Sequence, residues 1–513
     1  MTEPRRTRRG ARSSRSKTVD ILAKQPPFEQ PRMRFDPLRA VSEDELEAIH
    51  HASLRVLAET GIDFLDETAR QQLADAGAEI DGNRVRFSPE LVMQLMTTVP
   101  EQFTLHGIRP ERSLQMGGNA IAVTSVASPP FVTGLGRARR DGNREDYRNL
   151  IKMSQVMNCI HTSAGYPVEP MDLHPSIRHL HATHDMITLS DKPPFVYSIS
   201  RPRNQDAIEM TRIARGIDHE TINQETSILS VINTSTPLRY DTVMLHGIQE
   251  MSARNQGIVI TPFTLAGAMA PITVAGALVL QNAEALAGMA YTQVVKPGAP
   301  VIYGGFTSNV DMRSGAPAFG TPEYWKACLV GGQLARRYKV PYRSSNVNAS
   351  NSVDAQSAYE SVISLWGAVM GGVNLLLHGA GWLEGGLLTS YEKMVIDGDI
   401  LNMVSEMLKP ITIDDATLAV EAIAEVGPGG HFFGTSHTQE RYTTEHFQPM
   451  VSSWKNFESW DEDGRIEAPE RSTKIAQQMI DAHQEPPMEP QIRAELDEFV
   501  ERRIAEGGVE TDY

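Results

Sequence analysis

The chain has 513 residues, 41% of them hydrophobic and 22% charged, with a formal charge of −16. No apolar run approaches the ~18 residues that a membrane span needs, so the composition reads as that of a soluble globular protein. Two cysteines, Cys159 and Cys328, exclude a disulfide scaffold and suit a reducing, cytoplasmic setting.

The start of the chain opposes the overall charge. Arg5, Arg6, Arg8, Arg9, Arg12, Arg15 and Lys17 face a single acid, Glu3, and residues 1–35 read as a disordered basic tail without the apolar core of a secretory signal. The remaining body is therefore more acidic than the whole, which disfavours nucleic acid and favours cationic ligands. Ser42 with Glu45 three residues on is a capping-box signature, so a helix is expected from Ser42, with Leu46, Ile49, Val56 and Leu57 as its apolar face and Gly61 as its stop. Further helices are expected near Glu67–Ala76 and Pro89–Thr97, and strand pieces at Arg84–Phe87 and Phe103–Leu105. Residues 36–118 thus form an N-terminal α+β extension.

Eight apolar β-type runs follow: Ala120–Ser125, Cys159–Gly165, Phe195–Ser200, Thr226–Asn233, Ile258–Pro262, Val301–Gly304, Pro341–Ser345 and Leu375–His378. Segments of helical length and period, such as Ala283–Val295 and Ala355–Met370, lie between them. This alternation predicts an α/β fold, a (β/α)8 TIM barrel over residues 119–426, whose chemistry sits at the C-terminal ends of the strands. Helices at Ser390–Leu408, Asp415–Glu425 and Gln491–Ala505 are expected next, and residues 427–513 read as a C-terminal extension wrapped on the barrel.

Walker, GxGxxG, HExxH and GxSxG patterns are absent. His431, His437 and His446 have no nearby Cys and no standard zinc spacing, so no metal site is expected. The inferred strand ends supply Ser125, Ser128 and Phe131, then Tyr166, Ser200 and Arg201, Asn233, and Phe263. Later ends add Tyr303, Phe306, Asp311 and Arg313, then Arg343, Ser344, Asn346 and Asn348, then His378, Trp382 and Glu384. Rings outnumber nucleophiles, and rings beside acids suit a quaternary ammonium held by cation–π attraction. Simpler roles compete: rings that fill the barrel mouth, a core His378, and an Asp354 that only caps its helix. Gln356 and Glu360 share a helical face directed at the mouth, and Glu284, in an apolar helix, must be partnered or functional.

Longer blocks are more specific. AGAMAPITVAGALVLQNAEALAG (Ala266–Gly288), PGAPVIYGGFTSNVDMRSGAPAFGTPE (Pro297–Glu323), VDAQSAYES (Val353–Ser361), LHGAGWLEGGLLTSYEKMVIDGDI (Leu377–Ile400) and GPGGHFFGTSHT (Gly427–Thr438) resemble the trimethylamine:corrinoid methyltransferase family over most of residues 36–480. The resemblance implies an enzyme that moves a methyl group from a methylamine or quaternary amine to the Co(I) corrinoid (cobalamin) of a small partner protein, with no metal bound by this chain. Archaeal members carry pyrrolysine in the loop after strand seven. Here Asn348–Asp354 holds only standard residues, with the equivalent position near Asn351, and this points to the non-pyrrolysine branch with betaine-type substrates such as glycine betaine, proline betaine and carnitine.

Under that resemblance the expected catalytic residues are Tyr359, Glu360, His378 and Glu384. Phe263, Tyr303, Phe306, Arg343, Asn346, Gln356, Trp382 and Tyr166 are the expected substrate-binding residues, with Arg343 or Arg313 pairing a betaine carboxylate. A homo-oligomer is expected. Two other readings compete: a zinc-assisted thiol or alcohol methyltransferase, and a non-catalytic betaine-binding barrel.

Overall fold

Seven short runs rich in β-branched and aliphatic residues build one parallel sheet in the computed structural model, which describes residues 25–510. They are β1 (Ala122–Ser125), β2 (Phe195–Tyr197), β3 (Leu229–Asn233), β4 (Gly257–Thr261), β5 (Val301–Gly304), β6 (Tyr342–Ser345) and β7 (Leu375–Ala380). Their spatial order is β1-β7-β6-β5-β4-β3-β2, and every pairing is parallel. Parallel neighbours need long crossovers. These run through the helices α1 (Arg144–Val156), α2 (Pro175–Leu189), α3 (Arg201–Arg215), α4 (Thr242–Ala253), α5 (Val274–Val295), α6 (Pro322–Tyr338) and α7 (Ala355–Met370), and α8 (Tyr391–Met407) follows the last strand.

The run Cys159–Gly165, expected as a strand, forms no ladder. Thr162 makes one parallel bridge to Thr124 of β1, and its hydroxyl donates to the Pro193 carbonyl at 2.6 Å. Pro193 and Pro194, which lead into β2, have no N–H to offer, so nothing longer can grow on that side.

Alternation along the strands decides what faces where. Phe195, Leu229, Val259, Ile302 and Leu375 gather on the inner face, with Leu105, Leu114 and Met116 of the hairpin Gln102–Leu105 and Leu114–Gly117 packed beneath them. Val196, Ile258, Ile260, Val301, Tyr303 and Leu376 face outward into the helical layer. α5 is buried along most of its length, because its Ala, Gly and Leu residues let it lie between the sheet and the N-terminal layer.

That layer begins with the helix Glu43–Arg55, capped reciprocally by Ser42 and Glu45 and ended through Val56–Thr60 at Gly61, whose φ of 74° favours glycine. The basic residues of the first seventeen positions lie outside the described residues. The rest of the expected tail corrects that expectation from residue 25 onward. Met33 is buried, the Gln30 amide donates to the Gln115 carbonyl at 3.1 Å, and the Arg112 guanidinium lies 4.3 Å above the Phe28 ring.

At the other end, the helix Ala468–Ala482 packs on α8 and α1, and Pro490–Ala505 packs on α2 and α3. Arg503 pairs with Asp206 at 2.8 Å and His184 with Asp497 at 2.6 Å. The helix expected over Asp415–Glu425 is split into Asp415–Leu418 and Val420–Val426 by Ala419 at φ 54°. Among the described residues no helix is long and apolar enough to cross a membrane. Leu286→Ala, in the fully buried part of α5, is expected to cost about 2–5 kcal/mol, measured as a lowered midpoint of urea unfolding followed by circular dichroism.

Candidate active site

A cavity of about 580 Å³ opens at the C-terminal ends of the strands, and Val231 and Leu377 belong both to its wall and to the inner apolar layer. The strands do not stop at this rim. β4 continues past Pro262 into Phe263–Ala266 and β5 continues past Gly305 into Phe306–Val310. These extensions pair in parallel with Phe263 beside Phe306, their rings 5.0 Å apart. β7 continues past Gly381 into Trp382–Leu383, which joins a second rim sheet with Leu388–Ser390, Phe131–Gly134 and Arg137–Asp141.

Phe306 is the centre of the ring cluster, 6.1 Å from His378 and 6.3 Å from Trp382, and the His378 and Trp382 rings are 4.2 Å apart. Gly386, at φ 100°, lets the chain lie against the Trp382 ring, where a Cβ would come within 2.6 Å. His378 reaches the wall because the register of β7 shifts between Leu376 and Ala380, and it sits at φ 55°, an uncommon conformation for a non-glycine residue. Its Nδ1 lies 3.2 Å from the Ser345 hydroxyl. Burial, with Arg343 nearby, holds the imidazole well below its usual range, so it is neutral.

Arg343 points inward by the parity of β6 and is 2% exposed. Its guanidinium donates to the Gly305 carbonyl at 3.3 Å and lies 4.9 Å from the Phe306 centroid. Nε has no partner, and among the described residues no carboxylate pairs with this side chain. Burial pulls its pKa down to about 10, which still leaves it charged at neutral pH. The Ser198 and Thr261 hydroxyls, also on the wall, are buried without partners.

Among the described residues Glu169 is the carboxylate on this wall, and no sequence motif marks it. It follows the run Cys159–Gly165 in a loop where only Tyr166 stood out as a strand-end ring. Tyr166 instead stacks behind Tyr197, 4.5 Å away, and Tyr197 takes the wall position with its hydroxyl bonded to Ser128. The partner of Glu169 is Arg178, at 3.5 Å. Burial raises the Glu169 pKa to about 7, with Arg178 opposing.

Phe263, Phe306, Arg343, His378 and Trp382 therefore share one cavity. The other expected residues lie elsewhere, for identifiable reasons. Tyr303 faces the helices by strand parity, its hydroxyl bonded to Gln281 and Asn282 of α5. Asn346 is buried with its amide on the Gly379 carbonyl. Glu360 accepts from the amides of Ala349 and Ser350, both at 2.9 Å, and from Gln356 at 2.8 Å, so it holds the loop after β6. Gln356 and Tyr359 are exposed on the outer side of α7. Glu384 forms two bonds with Arg139, at 2.8 and 3.0 Å, outside the cavity. Arg313 is exposed. Asp354 caps α7, and Glu284 accepts from Thr234, Thr236 and the Leu238 amide, supporting the loop after β3.

Among the described residues no group of three or more His, Cys, Asp or Glu side chains converges as a metal site. A fully buried network instead fixes Trp382. Asp397 accepts from Lys393, from Ser361 at 3.0 Å and from the Gly381 amide at 2.9 Å. Ser361 bonds Asn348, whose carbonyl accepts the Trp382 indole at 3.2 Å.

A family profile described as trimethylamine methyltransferase (MTTB) matches residues 5–508. The glycine betaine methyltransferase of Desulfitobacterium hafniense (strain Y51) is 35% identical over 471 residues, 92% of this chain and 98% of that protein. The proline betaine:corrinoid methyltransferase of Eubacterium limosum is 27% identical, covering 79% of this chain and 85% of its own length. The trimethylamine methyltransferase MttB of Methanosarcina barkeri (strain Fusaro) is 26% identical, covering 91% and 95%. Among solved structures, the hydroxylamine MtmB complex aligns with a TM-score of 0.51 at 12% identity over 90% of this chain and 89% of that one, a likeness of fold alone.

Asp397→Ala would leave the Lys393 ammonium buried without its counter-charge. The expected loss is about 3–5 kcal/mol of stability, read from urea unfolding, with a change in the near-ultraviolet dichroism of the tryptophans below the transition.

Proposed function

The chain belongs to the trimethylamine methyltransferase family and is a methyltransferase, and from that premise we propose that it demethylates a betaine-type quaternary amine, with the Co(I) corrinoid (cobalamin) of a partner protein as methyl acceptor. The observation that carries this reading is Arg343, a buried, charged guanidinium without a carboxylate partner in a ring-lined cavity. A substrate carboxylate is the group such a side chain lacks, and a guanidinium takes it through paired N–H donors. The relatives named for glycine betaine and proline betaine fit the same choice. We read the seven strands and eight helices as a (β/α)8 barrel in which the second strand has shrunk to the bridge at Thr162.

The chemistry asks little proton transfer of the protein. As the methyl carbon leaves nitrogen, the C–N electron pair returns to nitrogen and a neutral tertiary amine departs, so no acid is needed. The acceptor supplies the electron pair for the new carbon–cobalt bond. The chain's own residues then bind, orient and exclude water. Arg343 anchors the carboxylate end, Phe263 and Trp382 present rings to the ammonium, and Phe306 lies under the Arg343 guanidinium. A neutral His378 adds no positive charge to a space that must accept a cation. Reduced acceptor chemistry and two free, buried thiols, Cys159 and Cys328, suit the cytoplasm.

Mixing the protein with a Co(I) corrinoid carrier and a panel of glycine betaine, proline betaine, carnitine and trimethylamine is expected to give the absorbance of methylated corrinoid with the carboxylate-bearing amines. Tight binding without methylation would favour a sensor, and activity confined to trimethylamine would sink the betaine reading. Arg343→Ala is expected to raise the KM for the betaine by about 30-fold or more, while Arg343→Lys, which keeps the charge and loses the fork, falls between.

A further inference from the structure

We propose that Glu169 is the counter-ion of the substrate's ammonium group, and is therefore the residue that makes the cavity choose a cation over a neutral group of the same shape. The inference rests on the betaine reading and adds to it the element of selection.

A quaternary nitrogen has no hydrogen to donate, so only charge and ring faces can tell it from a branched hydrocarbon. Among the described residues on the cavity wall, Glu169 is the one carboxylate. Its side chain is 21% exposed, and its protein partner, the Arg178 guanidinium at 3.5 Å, stands beyond the usual range of an N–H···O bond. The other acids near the mouth are saturated: Glu360 by two amides and Gln356, Glu284 by two hydroxyls and an amide, Asp397 by Lys393, Ser361 and an amide, and Glu384 by Arg139. Glu169 alone keeps free acceptor capacity facing the cavity.

Its surroundings strengthen the effect. The ionisable groups around it are Arg178 from α2, Tyr147 from α1, Tyr166, and Tyr197 from β2. All three phenols are pushed up by burial and stay neutral. Burial likewise raises Glu169 itself to about 7, so an arriving cation pairs with a poorly solvated carboxylate above that pH and must displace its proton below it. The charge is present above that pH and is lost as pH falls through it.

The test compares glycine betaine with 3,3-dimethylbutanoate, its carbon isostere, by calorimetric titration of the full-length protein. The wild type is expected to prefer glycine betaine by about tenfold or more, with the preference fading as pH falls through about 7. Glu169→Gln is expected to bind the isostere unchanged, lose the preference and show no such pH response, whereas Glu169→Asp retains it. Unchanged isostere binding certifies that the variant's cavity is intact. A preference and pH response that persist in Glu169→Gln would overturn the role of Glu169 while leaving the betaine reading in place. If the wild type binds neither compound, both readings fall together.

Discussion

An unneutralised guanidinium held out of water organises the mouth of this fold. Removing a cation from solvent without a counter-ion costs several kcal/mol, yet Arg343 is seated on the inner face of β6 with one carbonyl and one aromatic ring for company. Its neighbours show the consequences. His378, lowered chiefly by its own burial, is lowered further by this charge, the Phe306 ring lies under the guanidinium, and an N–H is left with nothing to bond. An arrangement that is poor for the empty protein is good for one that receives an anion, which is how a binding site differs from a core.

The acids around the mouth divide the remaining work. Glu284, Glu360 and Asp397 accept backbone amides from the loop after β3, the loop after β6 and the turn after β7. Each converts a buried charge into fixed loop geometry, because a charge-assisted bond to an amide is stronger than a neutral one. Ring positions follow from these clamps. Trp382 is set by the Asn348 carbonyl, Asn348 by Ser361, and Ser361 by the Lys393–Asp397 pair. The cavity therefore depends on side chains that do not touch it.

Much of this architecture is legible in the sequence. The βα alternation, the capping box at Ser42, the cap at Asp354 and the inward strand ends at Phe263, Arg343 and His378 are local patterns, and local patterns survive folding. Parity of a short strand is harder to read. Both neighbours of Ile302 are apolar or aromatic, so nothing in Val301–Gly304 announces that Tyr303 faces the helices. Glu360 and Glu384 look like site acids until their loop amides and Arg139 are in place, contacts that only tertiary structure supplies. Glu169 is the converse case: a lone acid between a valine and a proline, brought to the wall by a long loop whose course no periodicity encodes. Residues 25–35 hid behind the basic run that precedes them, since the charge of the first seventeen positions says nothing of the contacts that the following segment makes.

The single bridge at Thr162 leaves a seam between the edge strands. Elsewhere in the sheet a regular ladder resists parting, whereas here a single bridge and scattered bonds, among them Val123 to His161, Thr162 to Pro193 and Ser128 to Tyr197, join the borders, and Glu169 stands beside that gap. Breathing of the scaffold will concentrate there. A molecule held at once by Glu169, in the loop that follows the bridge, and by Arg343, on the interior strand β6, would tie that loop to the body of the sheet, so that occupancy steadies its weakest line.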